Sequence, residues 1–247
     1  MKALFEKLVP SWLASPLRQW KRGRERRRNA ALSVEEVFTD IYLSQRWGGA
    51  EGEFCSGGGT RDERVVEPYL KAVIDWLNAT ADGRARVVDL GCGDFTVGSR
   101  MIPHCESYVG VDVVKPLIEH HQRQHSRPTV RFEHLNIISD DLPAGDVCLV
   151  RQVLQHLSNE EICMILEKLR QYRHAIITEH LPEPSDFVRP NLDKAHGADI
   201  RLTANSGVYL EHPPFSVPGD AMKVLLEVPW EGNHGGVLRT VVISHGT

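Results

Sequence analysis

Seven short apolar runs recur along the chain from residue 84 onward. The first five read ARVVDL, SYVGVDV, TVRFEHL, DVCLVRQ and HAIITEH, and stretches with the apolar spacing of helices, such as KPLIEHHQRQ and SNEEICMILEKLRQY, lie among them. Strands that alternate with helices predict an α/β fold, a doubly wound, Rossmann-like parallel sheet. The last two runs, MKVLLEVPW and LRTVVISHG, have no helix between them and predict an antiparallel hairpin at the sheet edge.

Two amphipathic stretches precede the first of these strands. In 33–42 a serine is followed three residues later by Glu36, a capping box that predicts the start of a helix. The apolar spacing over 62–80 predicts a second helix, and FTVGSRMI (95–102) predicts a short one. Between the first two lies LSQRWGGAEGEFCSGGGTRDE, a glycine-rich loop that is either a flexible linker or a lid over a site. The chain is thus divided into a basic arm (1–32), a helix with a lid loop (33–61) and the main domain (62–247).

Charge is concentrated at the N-terminus. Residues 1–30 hold nine Lys and Arg against two Glu, a net charge of +7, whereas the remaining residues carry a net charge of −11. Leu4, Trp12 and Trp20 add apolar bulk ahead of KRGRERRR. We expect either a solvated, partly disordered arm or one that packs on the body, and the sharper hypothesis is peripheral contact with an anionic membrane surface. The acidic body would repel phosphates, so nucleic acid is not an expected partner.

The composition is that of an ordinary globular protein. The chain has 247 residues, 41% hydrophobic and 25% charged, enough for one α/β domain with extensions or at most two small domains. No apolar stretch reaches the roughly 18 residues that span a bilayer, and the N-terminus lacks the pattern of a secretory signal. The five cysteines form no CxxC pair, which favours reduced thiols over disulfides or a zinc site. We therefore expect a cytoplasmic protein without a bound metal.

A pair of glycines directly follows the first strand. VVDLGCGDFT places Asp89 before Gly91 and Gly93, at the edge where a doubly wound sheet binds its ligands. The third small residue of a dinucleotide fingerprint is missing, no GK[ST] follows as in a P-loop, and Asp89 and Asp94 would repel a pyrophosphate. The second strand ends at Asp112, whose carboxylate can accept hydrogen bonds from two ribose hydroxyls. This pattern favours a cationic ligand with a ribose and no phosphate, such as S-adenosylmethionine.

These motifs, in this order, resemble those of class I S-adenosylmethionine-dependent methyltransferases over about residues 62–247. VVDLGCGD matches the first motif of that family and VGVDVV the second, while the third stretch, FEHLNIISDDLP, has Asn136 in place of the usual aspartate. The resemblance implies that Asp89 lies near the cofactor ammonium and that Asp112 holds the ribose. Asn136 is either an uncharged partner of the adenine amine or a turn residue. The cofactor-binding residues implied in this way are Asp89, Gly91, Cys92, Gly93, Asp94, Asp112, Val113, Asn136, Ile137, Arg151 and Gln152.

Outside this common core, the chain is similar to a bacterial group of methyltransferases associated with surface-glycan, O-antigen or nodulation-type sugar clusters. The similarity rests on FTDIYLSQRWGG, SGGGT, LVRQVLQHLSNEEI and GADIRLTANS. It implies methyl transfer to a hydroxyl of a glycan or sugar precursor at the inner membrane face, with Trp47, Ser56, Gly57 and Thr60 in the substrate and lid region. The alternatives are a methyltransferase for a natural-product small molecule or a protein, and a non-catalytic scaffold that binds the cofactor.

A general base would assist the reaction, because a sugar hydroxyl is a poor nucleophile near neutral pH. His156 is the first candidate, since imidazole titrates in the working range; packing against the following helix is the alternative. His180, after AIITE, is a weaker candidate. Asp199 either binds the acceptor, serves as the base or lies in a surface turn.

Two further groups of rings have competing interpretations. His120, His121 and His125 share one predicted helix, but no HExxH surrounds them, so we expect a solvated helix face and not a metal site. Trp47 and Phe54 either stack on a sugar ring or adenine, or are buried under the loop.

Overall fold

The seven apolar runs form a single sheet of seven strands. In the computed structural model, which describes residues 23–24, 27–81, 84–232 and 235–246, the strand order is β3-β2-β1-β4-β5-β7-β6. Strands β1 to β5 pair in parallel, and β7 pairs antiparallel with both β5 and β6. The predicted doubly wound sheet with an antiparallel edge hairpin is therefore confirmed. The strands are β1 (Arg86–Leu90), β2 (Ser107–Asp112), β3 (Val130–His134), β4 (Val147–Arg151), β5 (His174–Leu181), β6 (Met222–Pro229) and β7 (Val237–Ser244).

The helices begin where the sequence supplies side-chain caps. Ser33 Oγ accepts from the Glu36 N–H at 3.2 Å and the Glu36 carboxylate accepts from the Ser33 N–H at 2.8 Å, which confirms the predicted capping box. Ser158 and Glu161 form a second box that was not predicted. The helices are α1 (Val34–Leu43), α2 (Glu63–Ala81), α3 (Gly98–Met101), α4 (Lys115–His125) and α5 (Asn159–Leu169).

Helix α3 is shorter than the predicted 95–102. At its start, Phe95 has a φ of 63°, a left-handed conformation that cannot belong to a right-handed helix. At its end, Pro103 lies in a 3-10 turn over Ile102–His104, because proline has no N–H to continue the helical hydrogen bonds. The connection between β1 and β2 is therefore mostly turn, and it keeps the glycine pair close to the strand ends.

Alternate residues of each strand pack into two apolar clusters, as the pleat of a sheet requires. Val88 of β1 packs in the cluster that contains Ile162 of α5, and the neighbouring Val87 packs in the cluster that contains Val73 of α2. These four side chains are fully buried or nearly so. Both faces of the sheet are therefore covered, and its carboxyl edge is left for the site.

A long connection over residues 182–221 joins β5 to β6 and lies against the start of α5. Arg201, which is 2% exposed, donates to the Leu157 carbonyl at 2.8 Å and to Asn159 Oδ1 at 2.6 Å. These bonds engage two of the three guanidinium nitrogens and fix the stretch before Arg201, residues 198–200, beside the ends of β4 and β5.

Most of the basic arm lies outside the described residues. Of residues 1–32, the structure describes 23–24 and 27–32, so the predicted membrane contact stays a prediction. Asn29 is buried, and its Nδ2 donates to the His196 carbonyl at 3.1 Å, which ties this end of the arm to the β5–β6 connection. Among the helices that the structure describes, none combines the length and apolar character needed to cross a bilayer.

Candidate active site at the carboxyl edge of the sheet

The glycine pair after β1 forms a turn that excludes side chains. Gly91 has a φ of 79° and Gly93 a φ of 54°, both in the left-handed region that favours glycine. A Cβ on Gly91 would lie 2.5 Å from Val153 Cγ2, and one on Gly93 would overlap Ser56 Oγ. The N–H groups of Gly91 and Cys92 donate to the Val111 carbonyl at 2.8 and 3.0 Å, which pins the turn to the end of β2.

Two buried carboxylates flank this turn. Asp112 accepts from the Gly93 N–H at 3.1 Å through Oδ2 and from the Val114 N–H at 3.0 Å through Oδ1. Asp89 accepts a short hydrogen bond from the Tyr108 hydroxyl. Burial raises the pKa of Asp89 and of Asp112 to about 6, so each carboxylate is ionised at neutral pH with little margin.

A partly buried cation faces the same region from the end of β4. The Arg151 guanidinium lies over the Tyr69 ring, 4.9 Å from its centre, and Nη2 donates to the Gly59 carbonyl at 2.7 Å. Burial lowers the pKa of the guanidinium, while the nearby Asp89 opposes that shift. Arg151 Nε is buried and has no hydrogen-bond partner among the described residues, which leaves one donor for a ligand.

The glycine-rich loop lies over the glycine turn. Ser56 N–H donates to Asp94 Oδ2 at 2.9 Å, and the Asp94 N–H donates to Ser56 Oγ at 2.7 Å. Thr60 Oγ1 also donates to Asp94 at 3.1 Å, and the Tyr42 hydroxyl is 2.7 Å from Ser56 Oγ. With Gly59 held by the guanidinium of Arg151, the C-terminal part of the loop, residues 56–60, is fixed by polar contacts to the glycine turn and to the end of β4.

An aromatic group borders the other end of the site. The Trp47 ring lies 5.0 Å from the His156 ring and 5.9 Å from the Phe38 ring. Tyr42 lies between Trp47 and Phe54, with its ring 5.2 Å from that of Trp47 and 6.1 Å from that of Phe54. Both rings grouped in the sequence analysis therefore contact Tyr42, but only Trp47 also contacts His156, whereas Phe54 contacts His120.

His156 is held in a single tautomer by the β5–β6 connection. Its Nδ1 is 3.1 Å from the Gly197 carbonyl, and because a carbonyl only accepts, Nδ1 carries the proton and Nε2 keeps its lone pair. The Gly197 N–H and Lys194 Nζ in turn donate to the His156 carbonyl, at 2.9 and 3.0 Å. Burial and then the positive charges of Lys194 and Arg201 lower the pKa of His156 to about 3, so the ring is neutral at physiological pH.

Of three other predicted residues, two make hydrogen bonds within the protein and the third lies in the wall of the site. His180 Nε2 donates to the Gly235 carbonyl at 2.7 Å. Asn136 Oδ1 accepts from the Ile138 N–H at 3.0 Å, a turn contact that leaves the oxygen one lone pair. Asp199 lies in the wall that the β5–β6 connection contributes.

All of the predicted site residues line one cavity of about 570 Å³ at the carboxyl edge of the sheet. They come from β1 and β2 and the connections that follow them, the β3–β4 connection, the end of β4 and the turn after it, β5, the lid loop and the β5–β6 connection. The lining includes Trp47, Ser56, Gly57, Thr60, Asp89, Gly91, Cys92, Gly93, Asp94, Asp112, Val113, Asn136, Ile137, Arg151, Gln152, His156, His180 and Asp199.

The expected solvated face of three histidines is wrong for His121. His121 is 2% exposed, and its Nε2 donates to the Gly93 carbonyl at 2.8 Å, so it braces the glycine turn from α4. It follows buried Leu117 by four residues and buried Ile118 by three, which is the spacing of the apolar face and the signal that could have found it. His120 is half-buried and His125 is exposed.

Further contributors were missed because no local motif marks them. Tyr108 and Tyr69 reach Asp89 and Arg151 from other elements. Glu179 of β5 accepts from two backbone N–H groups of the turn after β4. Strand pairing brings Tyr108 and Glu179 to the site, and the packing of α2 on the sheet brings Tyr69.

Three solved structures that share this fold are methyltransferases. Magnesium protoporphyrin IX methyltransferase ChlM from Synechocystis, with bound SAM, aligns at a TM-score of 0.54 and 17% identity over 88% of this chain and 99% of that chain. N-methyltransferase NodS from Bradyrhizobium japonicum, in complex with S-adenosyl-L-homocysteine, aligns at 0.53 and 14% identity over 83% and 98%. Burkholderia thailandensis 1,6-didemethyltoxoflavin-N1-methyltransferase aligns at 0.53 and 15% identity over 86% and 88%. No protein-family model and no curated protein matches the chain. At these identities, the similarity establishes a shared Rossmann-like methyltransferase fold.

Proposed function

We propose that this protein is an S-adenosylmethionine-dependent methyltransferase that methylates a hydroxyl of a glycan or sugar precursor. The observation that carries the cofactor assignment is the pair of buried carboxylates, Asp89 and Asp112, beside a turn that excludes side chains. Such a pocket favours a cationic nucleoside and repels phosphates. Solved structures with this fold were determined with SAM or S-adenosylhomocysteine bound, which agrees with the assignment.

The cofactor half of the cavity fits S-adenosylmethionine in charge and hydrogen-bonding capacity. Asp112 would accept ribose hydroxyls on the lone pairs that its two backbone donors leave free. Asp89 would balance the ammonium, and Arg151 Nε would donate to the carboxylate. Asn136 would receive the adenine amine on its remaining lone pair. When bound, the cofactor supplies a methyl carbon that the sulfonium has already activated.

In the acceptor half, we assign His156 the role of receiving the nucleophilic hydroxyl. Nδ1–H is bound to the Gly197 carbonyl, so Nε2 is the atom that accepts. The low pKa keeps this atom unprotonated at every physiological pH, although a weak base holds a transferred proton poorly. Asp199, in the same cavity, is the second candidate for the proton. His180 ranks below both, because its Nε2 is already a donor.

The remaining contribution of the protein to catalysis is positioning. Methyl transfer is an in-line displacement, so a fixed acceptor orientation accounts for much of the rate. The lid loop, held at Asp94 and Arg151, would cover the reacting groups and exclude water that competes for the methyl group. Gln152 directly follows β4 and places the end of that strand against the lid loop. Its backbone has a φ of 56°, a strained left-handed conformation of the kind found at functional sites.

The glycan assignment rests on the sequence similarity to the bacterial sugar-cluster group and on the aromatic wall. A sugar ring packs its apolar face on an aromatic side chain, and Trp47 presents one next to His156. We further propose that the basic arm, 1–32, holds the enzyme at an anionic membrane surface where lipid-linked sugars are assembled. Liposome binding by the full chain and by a chain that lacks residues 1–30 tests that proposal, and equal binding contradicts it.

Calorimetry tests the cofactor assignment. The parent protein should bind S-adenosylmethionine and S-adenosylhomocysteine but not ATP or NAD, and Asp112→Ala should weaken binding by at least about tenfold, since it removes two hydrogen bonds to the ribose. Turnover is then measured with tritiated S-adenosylmethionine and a panel of methyl glycosides. Absence of cofactor binding contradicts the whole proposal, whereas cofactor binding without methylation of any hydroxyl contradicts the acceptor class.

A further inference from the structure

Trp230 is an aromatic residue of the cavity that the proposed reaction does not yet use. It directly follows β6, is half-buried, and lines the cavity together with His180 of β5. Because β5 and β6 both pair antiparallel with β7, they run in the same direction and end at the same edge of the sheet. This is also the edge at which β1 and β4 end, since β4 is parallel to both β1 and β5.

The strand order separates Trp230 from the groups that we assign to the cofactor. Asp112 ends β2 and Asn136 follows β3, at one end of the sheet, while Asp89 and Arg151 lie on the central strands β1 and β4. Trp230 follows the edge strand at the other end, with β5 and β7 between β6 and all of those strands. A ligand group that contacts Trp230 therefore belongs to the acceptor and not to the cofactor.

The indole of Trp230 packs directly against backbone. A Cβ on Gly232 would lie 2.6 Å from Cε2 and Nε1 of the indole, so only glycine at this position leaves room for the ring. A Cβ on Gly58 of the lid loop would lie 3.9 Å from Cη2. The indole is therefore next to both the connection after β6 and the lid that covers the cavity.

His180 supports the same ring from β5. The two ring centres are 5.7 Å apart and the ring planes meet at 68°, an edge-to-face arrangement. His180 is 4% exposed, and its Nε2 donates to the Gly235 carbonyl at 2.7 Å, which fixes the orientation of the imidazole. The imidazole in turn limits how the indole can turn.

We propose that Trp230 binds the sugar ring of the acceptor, in addition to Trp47, and that His180 is a positioning residue that orients Trp230. An indole offers a large, rigid surface against which the apolar C–H face of a pyranose packs. This contact lies away from the cofactor, so it stabilises the ground state and the transition state alike and acts on KM more than on kcat. An acyclic polyol has hydroxyls but no such face, and should be a poorer acceptor. This inference rests on the proposed function.

The test compares cyclic with acyclic hydroxyl acceptors. Turnover of methyl hexopyranosides and of hexitols is measured with the wild type, with Trp230→Leu and with Gly232→Ala, whose added Cβ would displace the indole. The matched controls are Trp76→Leu, on α2, where the Trp76 ring packs on His174 at 4.9 Å, and Gly219→Ala, where nothing lies within 4 Å of the Cβ. Circular dichroism reports folding, and S-adenosylhomocysteine affinity reports on the cofactor half.

The wild type and the controls should prefer pyranosides to hexitols by about five- to tenfold in kcat/KM. In Trp230→Leu and Gly232→Ala the pyranoside KM should rise by a similar factor, with little change in kcat or in S-adenosylhomocysteine affinity. An unchanged KM, or a weakened S-adenosylhomocysteine affinity in folded Trp230→Leu, overturns the inference and leaves the proposed function intact. If Trp230→Leu does not fold, Gly232→Ala decides by the same measurements, and a wild-type preference near one overturns the inference without any variant. Cofactor binding with no hydroxyl methylated overturns the acceptor class and this inference together.

The role of His180 is tested by a conservative pair of variants. His180→Ala removes the ring edge that supports the indole, and should raise the pyranoside KM by about two- to fivefold. His180→Phe keeps a ring edge there and should return the KM to near the wild-type value. Equal KM values in the two folded variants overturn the positioning role.

Discussion

Ser56 and Asp94 exchange two hydrogen bonds, one in each direction, and so join the lid loop to the glycine turn. The Ser56 N–H donates to the Asp94 carboxylate at 2.9 Å, and the Asp94 N–H donates to the Ser56 hydroxyl oxygen at 2.7 Å. Ser56 Oγ also occupies the space that a Cβ on Gly93 would fill. The lid loop and the glycine turn are therefore joined, and a substitution in either one should change the affinity for the cofactor.

Ser56→Ala should weaken the attachment of the lid loop to the glycine turn and leave the backbone of that turn unchanged. The variant loses the hydrogen bonds of Oγ with the Asp94 N–H and with the Tyr42 hydroxyl, at about 1 kcal/mol each, so the affinity for S-adenosylhomocysteine should fall about five- to thirtyfold, mainly through faster dissociation. Stopped-flow fluorescence of a lid tryptophan, Trp47, measures that rate. Ser126→Ala, at an exposed serine after α4, is the control. Equal dissociation rates in the two variants would contradict a role for the lid.

Gly93→Ala should abolish cofactor binding. The added Cβ would overlap Ser56 Oγ, and a φ of 54° costs an L-residue about 1–2 kcal/mol. We expect affinity to fall by at least about a hundredfold by calorimetry, with a folded protein by circular dichroism. The matched control is Gly219→Ala, where nothing lies within 4 Å of the added Cβ. Unchanged affinity in Gly93→Ala would show that ligands do not reach the turn.

Cofactor affinity should depend on pH through Asp89 and Asp112. Burial raises both pKa values to about 6, and the ionised forms are the ones that bind the cation and the ribose, so affinity should be constant above about pH 7 and fall below about pH 6. The fall approaches tenfold per pH unit for each carboxylate that must be charged. Tyr108→Phe removes the hydrogen bond that lowers the pKa of Asp89, and should move the midpoint upward. Calorimetry from about pH 5 to 8 measures it, and a flat profile excludes these carboxylates as ligands.

His156→Ala should lower kcat at least about tenfold while leaving cofactor affinity unchanged, if Nε2 receives the hydroxyl. Because the pKa of His156 is lowered to about 3, the wild-type rate should show no loss assignable to His156 between about pH 8 and 5. Lys194→Met removes a positive charge next to the ring and should raise that pKa, so any loss of activity at low pH should begin at a higher pH. Single-turnover rates at saturating cofactor measure these effects. Wild-type turnover by His156→Ala would exclude the role.

The residues of the cofactor half of the site could be predicted from local sequence, but the side chains that contact and orient those residues could not. Asp89, the glycines and Asp112 follow strand ends, and parallel strands bring such positions to one edge. Tyr108 precedes Asp112 by four residues on the same strand, so nothing in its spacing marks it as the partner of Asp89. Register between β1 and β2 decides that contact.

The acceptor half was less predictable, because a segment without regular structure builds it. Lys194 and Gly197 fix His156 from the β5–β6 connection, and no periodicity indicates where such a segment lies. The predicted helix over 95–102 is shorter in the structure for a local reason, the left-handed Phe95 and the proline after α3. The prediction for His121 was wrong for the opposite reason. Helical spacing places this residue on the buried face of α4, whereas its polarity suggested that the side chain is exposed to solvent.

Glu179 should make the protein less stable as pH rises toward 8. Burial raises its pKa from 4.5 to about 8, although the N–H groups of Leu154 and Gln155 favour the ionised form. The folded protein therefore binds this proton more tightly than the unfolded chain, so its contribution is complete below about pH 4.5 and is lost as pH rises through 8. Between about pH 6.5 and 8, above the pKa values of Asp89 and Asp112, Glu179 is the group that lowers stability. There the free energy of unfolding should fall by up to about 1.4 kcal/mol per pH unit. Urea unfolding of the wild type and Glu179→Gln measures the slope, which should be shallower in the variant; equal slopes would show that Glu179 is ionised throughout.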